Sequence, residues 1–197
     1  SNLKLELQQG NDELLFRYGL DLGLLSAHYS YASSLDVSAG EPFPDSPPSL
    51  TVRESTLQPD GSQQGAFVSG RWRMSERLTG ELGMRWDNQT WDRVDGGTQL
   101  SPRLNLRYDP DARTQLRASW GRFYQAQGIN ELQLEDGIQT VFPAQRADHL
   151  ILSAEHALVN HIRVRLEAYY KDYEELRPRF ENQFDPLVLI PELQTDR

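Results

Sequence analysis

Arginine at every second position is the feature of this sequence with the most chemical potential. Arg71 and Arg73, Arg103 and Arg107, and Arg163 and Arg165 recur on the odd positions of alternating segments, and Arg17, Arg85 and Arg117 stand in similar settings. Guanidinium groups sharing one face can guide an anionic ligand, because they stay charged and bind carboxylate or phosphate in two-pronged fashion. The competing reading pairs them across strands with Glu81, Glu155, Glu167 and neighbouring carboxylates. The other polar residues offer less. His149 and His156 are an odd number of positions apart in one strand, so they point to opposite faces and cannot share a metal. His156 and His161 flank a turn, His28 stands alone, and no metal site is expected. Glu131, Glu135 and Asp136 in one loop, with Glu174 and Glu175 in another, read as solvated acids. No nucleophile elbow, glycine-rich phosphate loop or His-Glu-x-x-His motif occurs, so neither enzymatic activity nor a cofactor is expected.

These side chains are displayed by strands. Leu100, Pro102, Leu104, Leu106 and Tyr108 alternate with Ser101, Arg103, Asn105 and Arg107, a period of two. Asp109-Pro110-Asp111 then reads as a tight turn, with Leu116, Ala118 and Trp120 alternating beyond it. The same pattern covers a short piece from Leu3, then Leu14 to Leu24, Ala66 to Met74, Leu78 to Trp86, Leu150 to Ala154 and Ile162 to Tyr170. About eight antiparallel strands in an up-and-down, all-β meander are therefore predicted. Extended character carries on from Leu24 through the sequence HYSYASSL.

Composition narrows the class. The 197 residues carry a net charge of −9, which argues against nucleic acid as a partner. Of 20 basic residues only Lys4 and Lys171 are lysine. Absence of cysteine excludes disulfides and thiolate metal sites. Mean hydropathy of −0.65 and the lack of a long apolar run exclude helical membrane spans. They leave a membrane barrel open, since its strands hide every second residue from lipid. Connections alternate strictly between short turns, near residues 10, 76, 110 and 160, and long loops at about 36–64, 88–99, 125–147 and 176–197. A soluble meander has no reason for that asymmetry, whereas outer-membrane barrels have short periplasmic turns and long extracellular loops. On this reading Arg71, Arg73, Arg85, Arg103, Arg107, Arg117, Arg163 and Arg165 face the lumen. Trp72, Trp86, Tyr108, Trp120 and Tyr170, together with Trp91 and Tyr169, are candidates for the membrane interface, where amphipathic rings collect.

The stretch SPRLNLRYDPDARTQLRASWGRFYQAQ, Ser101 to Gln127, resembles the barrel of TonB-dependent outer-membrane receptors. Gly65 to Asp87 is similar to another hairpin of those barrels, and RVRLEAYYKDYEELRPRF fits a third. The resemblance implies an outer-membrane location and active uptake of a scarce nutrient such as an iron chelate or cobalamin. It also implies three partners: outer-membrane lipid, a plug domain of the same full-length protein, and an inner-membrane energy-coupling complex. Residues 1–197 are then expected to be a partial β-barrel domain, a segment of a transmembrane barrel without the plug domain or the C-terminal strands.

Two rivals remain at this point: a soluble β-barrel-like domain that binds a ligand or acts as a scaffold, with its apolar face turned inward, and a complete eight-stranded outer-membrane barrel. An isolated piece of barrel wall has two unpaired edges and a wide apolar face. Such a chain is expected to self-associate, to curl on itself, or to cover that face with its own loops.

Overall fold

The computed structural model describes residues 1–36, 50–91, 94–132, 141–159, 161–177, 179–181 and 193–195. Twelve strands are formed: β1 (Asn2–Gly10), β2 (Leu14–Ser26), β3 (Tyr29–Asp36), β4 (Leu50–Leu57), β5 (Asp60–Arg73), β6 (Leu78–Trp91), β7 (Val94–Asp111), β8 (Thr114–Gln125), β9 (Gln145–Val159), β10 (Ile162–Glu174), β11 (Arg179–Glu181) and β12 (Leu193–Thr195). Eight of them make one sheet in the order β1-β2-β5-β6-β7-β8-β9-β10, every pair antiparallel. This is the predicted meander. β3 and β4 pair with each other, as do β11 and β12.

Several predicted loops are shorter than the sequence suggested. Within 36–64, β4 and the first residues of β5 are strand, and β3/β4 prolongs the β2/β5 ribbon across a short break bridged by Ala27 N–H donating to the Pro59 carbonyl at 3.0 Å. Residues 37–49 lie outside the described residues. Within 88–99, β6 continues to Trp91 and β7 resumes at Val94, so this connection is a tight hairpin. Phe123 and Tyr124 belong to β8, so the strand runs to Gln125, and the described residues 126–132 and 141–144 lie outside the strands. Within 176–197, β11 and β12 form a small ribbon.

Three of the short turns share one device. Asn11 Oδ1 accepts the N–H groups of Glu13 and Leu14, each at 2.9 Å. Ser75 Oγ accepts those of Arg77 and Leu78, and Asp111 Oδ1 those of Arg113 and Thr114. A short side chain at the head of each turn thus satisfies two backbone donors that the ladder cannot reach. Pro110 does not make the turn, contrary to the sequence reading. It sits at the end of β7 where the register slips between Tyr108 and Asp111, a place that needs no ladder N–H.

Register also gives the tilt. The cross-strand row that begins at Leu14, the end of β2, runs through Trp72, Gly80, Leu106 and Ala118 to Leu152. Leu152 stands seven residues from the turn end of β9 at Val159, five strands further on. With turn ends in one plane, that is a stagger of about 1.4 residues per strand. At a rise of ~3.3 Å and a spacing of ~4.8 Å the strands then incline about 44° to the axis, in the range of closed barrels.

The sheet has no core of its own. Among the described residues only Trp91 and Leu132 are buried hydrophobics, while Leu24 is 67% and Leu166 72% exposed. The chain neither curls over its apolar face nor covers it with its described loops.

Candidate functional site

Cross-strand rows divide the residues cleanly between two faces. One row reads Arg17, Ser69, Gly83, Arg103, Gly121, His149 and Lys171. The next two carry Arg71 with Glu81 and Asn105, and Arg73 with Thr79, Arg107, Arg117 and Glu167. Arg85, Arg163 and Arg165 share this face by alternation, so all eight predicted arginines fall on it. Trp72, Trp86, Tyr108, Trp120 and Tyr170 fall on the other. Trp91 and Tyr169 do not: alternation puts Tyr169 beside the arginines, and Trp91 is buried at 7% exposure.

On the apolar face, the positions of the rings mark where the face changes character. Trp86 is followed two residues on by Asn88, Trp120 by Arg122 and Tyr170 by Asp172. Above Trp120 the same face becomes charged, with Arg122 donating to Asp148 at 2.8 and 2.9 Å and Arg146 paired with Glu174. At the turn ends, Trp72 and Tyr108 close the band from below. Between Leu78 and Trp86 the apolar stretch of β6 is roughly 26 Å long, which the tilt of about 44° reduces to ~19 Å along the membrane normal, within the ~25 Å of a lipid-facing barrel belt.

On the polar face, the arginines divide between two surroundings. Arg85 contacts Asp87 at 2.6 Å and Asp21 at 3.3 Å. It lies flat because Gly65 has no side chain: a Cβ there would stand 2.8 Å from the guanidinium. Arg17 pairs with Glu6 at 2.6 Å, Arg107 with Asp109 at 2.9 Å, Arg163 with Glu155 at 3.1 Å, and Arg165 with Glu167. The cross-strand pairing expected from sequence is made by Arg17 with Glu6, Arg85 with Asp21 and Arg163 with Glu155, whereas Arg107 and Arg165 pair with carboxylates two residues on in their own strands. Arg103 instead lies over the Phe123 ring at 4.9 Å. Arg71, Arg73 and Arg117 make no ion pair within 4 Å among the described residues. They line a recess at the turn end together with Arg107, Glu81, Asp12 and Glu13.

A second recess, of about 450 Å³, lies toward the loop end of the same face. Pro102 opens the sheet there. The β6 ladder runs unbroken past Pro102 to Thr98, whereas β8 pairs with β7 only from Arg103 downward. A proline offers no N–H to a neighbour, so the two strands part above it. Residues 126–132 fold back beside the opening, anchored on Gln127, which is 3% exposed. Gln127 donates through Nε2 to the Glu131 carbonyl at 2.8 Å and accepts the Phe142 N–H at 2.9 Å, while its own carbonyl accepts Gln89 Nε2 at 3.1 Å. Tyr29 Oη donates to the Ile129 carbonyl at 2.6 Å and accepts the Leu132 N–H at 3.0 Å. None of these glutamines stood out in the sequence, because carboxamides carry no motif and leave no periodic trace.

Glu131 clasps the same segment. Its carboxylate accepts the Gly128 N–H at 2.9 Å and contacts Arg177 at 3.0 Å, and these two partners, the backbone donor first, hold its carboxyl below the usual range. A carboxylate with a depressed folded-state pKa stabilises above its unfolded value and loses that contribution as pH falls through the folded one. Protection of the Gly128 amide, taken relative to its intrinsic exchange rate at each pH, is therefore expected to fall as the Glu131 carboxylate is protonated in acid. Hydrogen exchange measured across that titration checks this; Glu131→Gln should show the reduced protection already at neutral pH.

A tilted, staggered antiparallel sheet with an aromatic-bounded apolar belt on one face and charges on the other defines a segment of outer-membrane β-barrel wall. The sequence matches the family described as TonB dependent receptor-like, beta-barrel, over residues 2–176, and the chain belongs to that family, whose members are receptors of the outer membrane. No curated protein sequence matches it significantly. Among solved structures, the FrpB iron transporter from Neisseria meningitidis (F3-3 variant) is similar with a TM-score of 0.60 at 11% identity, covering 95% of this chain and 29% of that one. Outer-membrane expressed OmpT of Vibrio cholerae gives 0.51 at 12% identity, covering 87% and 46% respectively. The chain thus spans less than half the length of either structure, and the likeness is one of fold. Family membership removes the soluble β-domain as a reading.

Proposed function

We propose that this chain forms part of the wall of a receptor that actively takes up a scarce nutrient such as an iron chelate or cobalamin. The observation that carries the reading is the division of one continuous sheet into a lipid-compatible belt and an arginine-bearing face. In this reading Arg71, Arg73, Arg85, Arg103, Arg107, Arg117, Arg163 and Arg165 face the lumen. Arg71, Arg73 and Arg117, which make no ion pair among the described residues, are then available to carboxylates of a plug domain in the full-length protein. Trp72 and Tyr108 would mark the periplasmic boundary of the membrane, and Trp86, Trp120 and Tyr170 the outer one. Energy would come from an inner-membrane coupling complex, and the wall itself would perform no catalysis. The iron-transporter fold of the similar Neisseria structure is in keeping with this assignment.

The test uses cells producing the full-length parent protein. A cysteine at Asp45 in the intact receptor should react with a membrane-impermeant thiol reagent on whole cells. Deleting the gene should abolish energy-dependent accumulation of at least one labelled ferric chelate or of labelled cobalamin. Labelling only after the outer membrane is breached would reverse the assigned strand direction. Unchanged accumulation of every such nutrient would overturn uptake as the function.

A further inference from the structure

The recess beside Pro102 has a chemical character different from the arginine-rich turn end. Arg85 is the single cation among its described lining residues, and Asp87 and Asp21 already engage it from two sides. Three of the lining carboxamides, Gln63, Gln99 and Asn130, have side-chain donors free of protein partners among the described residues. Gln99 is the most informative of them. It is only 6% exposed, yet its buried Nε2 has no hydrogen-bond partner among the described residues. A buried amide donor left without an acceptor is destabilising, so a site that retains one is arranged for an acceptor from outside.

We propose that this recess binds an uncharged part of the transported nutrient, one that presents amide or hydroxyl groups, and that Gln99 donates to it. Carboxamides supply donors and acceptors in pairs and match such groups without a net charge. An anionic group would meet the Asp87 carboxylate and a guanidinium that is already neutralised, so the site selects against it. Leu25 and Ile129 add apolar surface to the same walls, suited to the carbon skeleton of such a ligand. This inference rests on the receptor reading above and specifies its cargo. It says nothing of the energy source, so the two can fail separately.

The experiment measures equilibrium binding to the full-length receptor in detergent micelles, which needs no energy coupling. Three neutral probes are used, a ferric trihydroxamate, cyanocobalamin and maltoheptaose, and two anionic ones, ferric citrate and a ferric tricatecholate. Saturable binding of a neutral probe is expected, weakened about tenfold by Gln99→Leu, the loss that follows from removing one discriminating hydrogen bond. Gln63→Leu, at an exposed position that folding tolerates, should also weaken it and keeps the test readable if Gln99→Leu fails to fold. Binding of an anionic probe alone, neutral binding indifferent to both substitutions, or no neutral binding at all would each overturn the proposal. Retained neutral binding in a protein that fails to accumulate the same probe in cells would leave the recess standing and refute uptake.

Discussion

Leu82→Arg is expected to cost the folded barrel about 2–4 kcal/mol in a bilayer, the penalty for a cation on the lipid face near mid-membrane. Leu82 lies midway along the apolar stretch of β6 from Leu78 to Trp86, in the row that runs Gly70, Leu82, Leu104, Trp120, Leu150, Tyr170. Its side chain is half exposed in the chain alone, as it must be if its partner is lipid. The reference change is Asn105→Arg, one residue further along β7 from Leu104 and therefore on the other face, opposite Glu81. There a guanidinium gains a carboxylate neighbour and remains in a wet setting, so a change within about 0.5 kcal/mol is expected. Reversible denaturation of the full-length receptor folded into lipid vesicles measures both. Equal costs for the two substitutions would refute the assignment of faces, and a larger cost for Asn105→Arg would invert it.

The same division of faces explains which parts of the fold were legible in the sequence. Where one face meets apolar surroundings and the other polar ones, each residue must take sides, and the period of two from Leu14 to Leu24 or Ile162 to Tyr170 records that. Above Ala66 the apolar side of β5 turns to Gln64 and Ser62, and β4 reads LTVREST, with no apolar face. Strand there is held by ladder hydrogen bonds and leaves no alternation, which is why 50–64 resembled a loop. Pro110 misled for the opposite reason. Proline is a common turn former, but here the register slip accommodates it and Asp111 closes the turn.

The arginines were legible as a face, though their partners were not, because partners depend on stagger. Arg85 reaches Asp21 across two strands only because the register aligns Asp21 with Gly65 and Asp87. The loop-end recess was illegible altogether. It depends on where β8 leaves β7 and on a segment, 126–132, whose contacts with Tyr29 join residues about a hundred positions apart.

Gln127→Leu should release that segment while leaving the barrel wall intact. The substitution keeps the bulk of the side chain but removes both of its hydrogen bonds, stranding the Phe142 N–H and the Glu131 carbonyl. A buried polar group deprived of its partner costs about 1–3 kcal/mol, so local stability should fall by roughly 2 kcal/mol or more. At ~1.4 kcal/mol per factor of ten, exchange of the amides between 126 and 142 should accelerate at least about thirtyfold, while peptides from β6 and β7 keep their protection. Global stability in the bilayer should change little, because none of these residues belongs to the lipid-facing belt. Gln89→Leu removes one donor to the Gln127 carbonyl and should give a smaller acceleration of the same peptide. Hydrogen–deuterium exchange read by mass spectrometry distinguishes the cases. If the Gln127 variant exchanged like the parent, the segment would be held by the Tyr29 and Glu131 contacts alone, and Gln127 would not be its anchor. If β6 and β7 lost protection as well, the segment would be a structural strut of the wall, and the gap opened at Pro102 would depend on it.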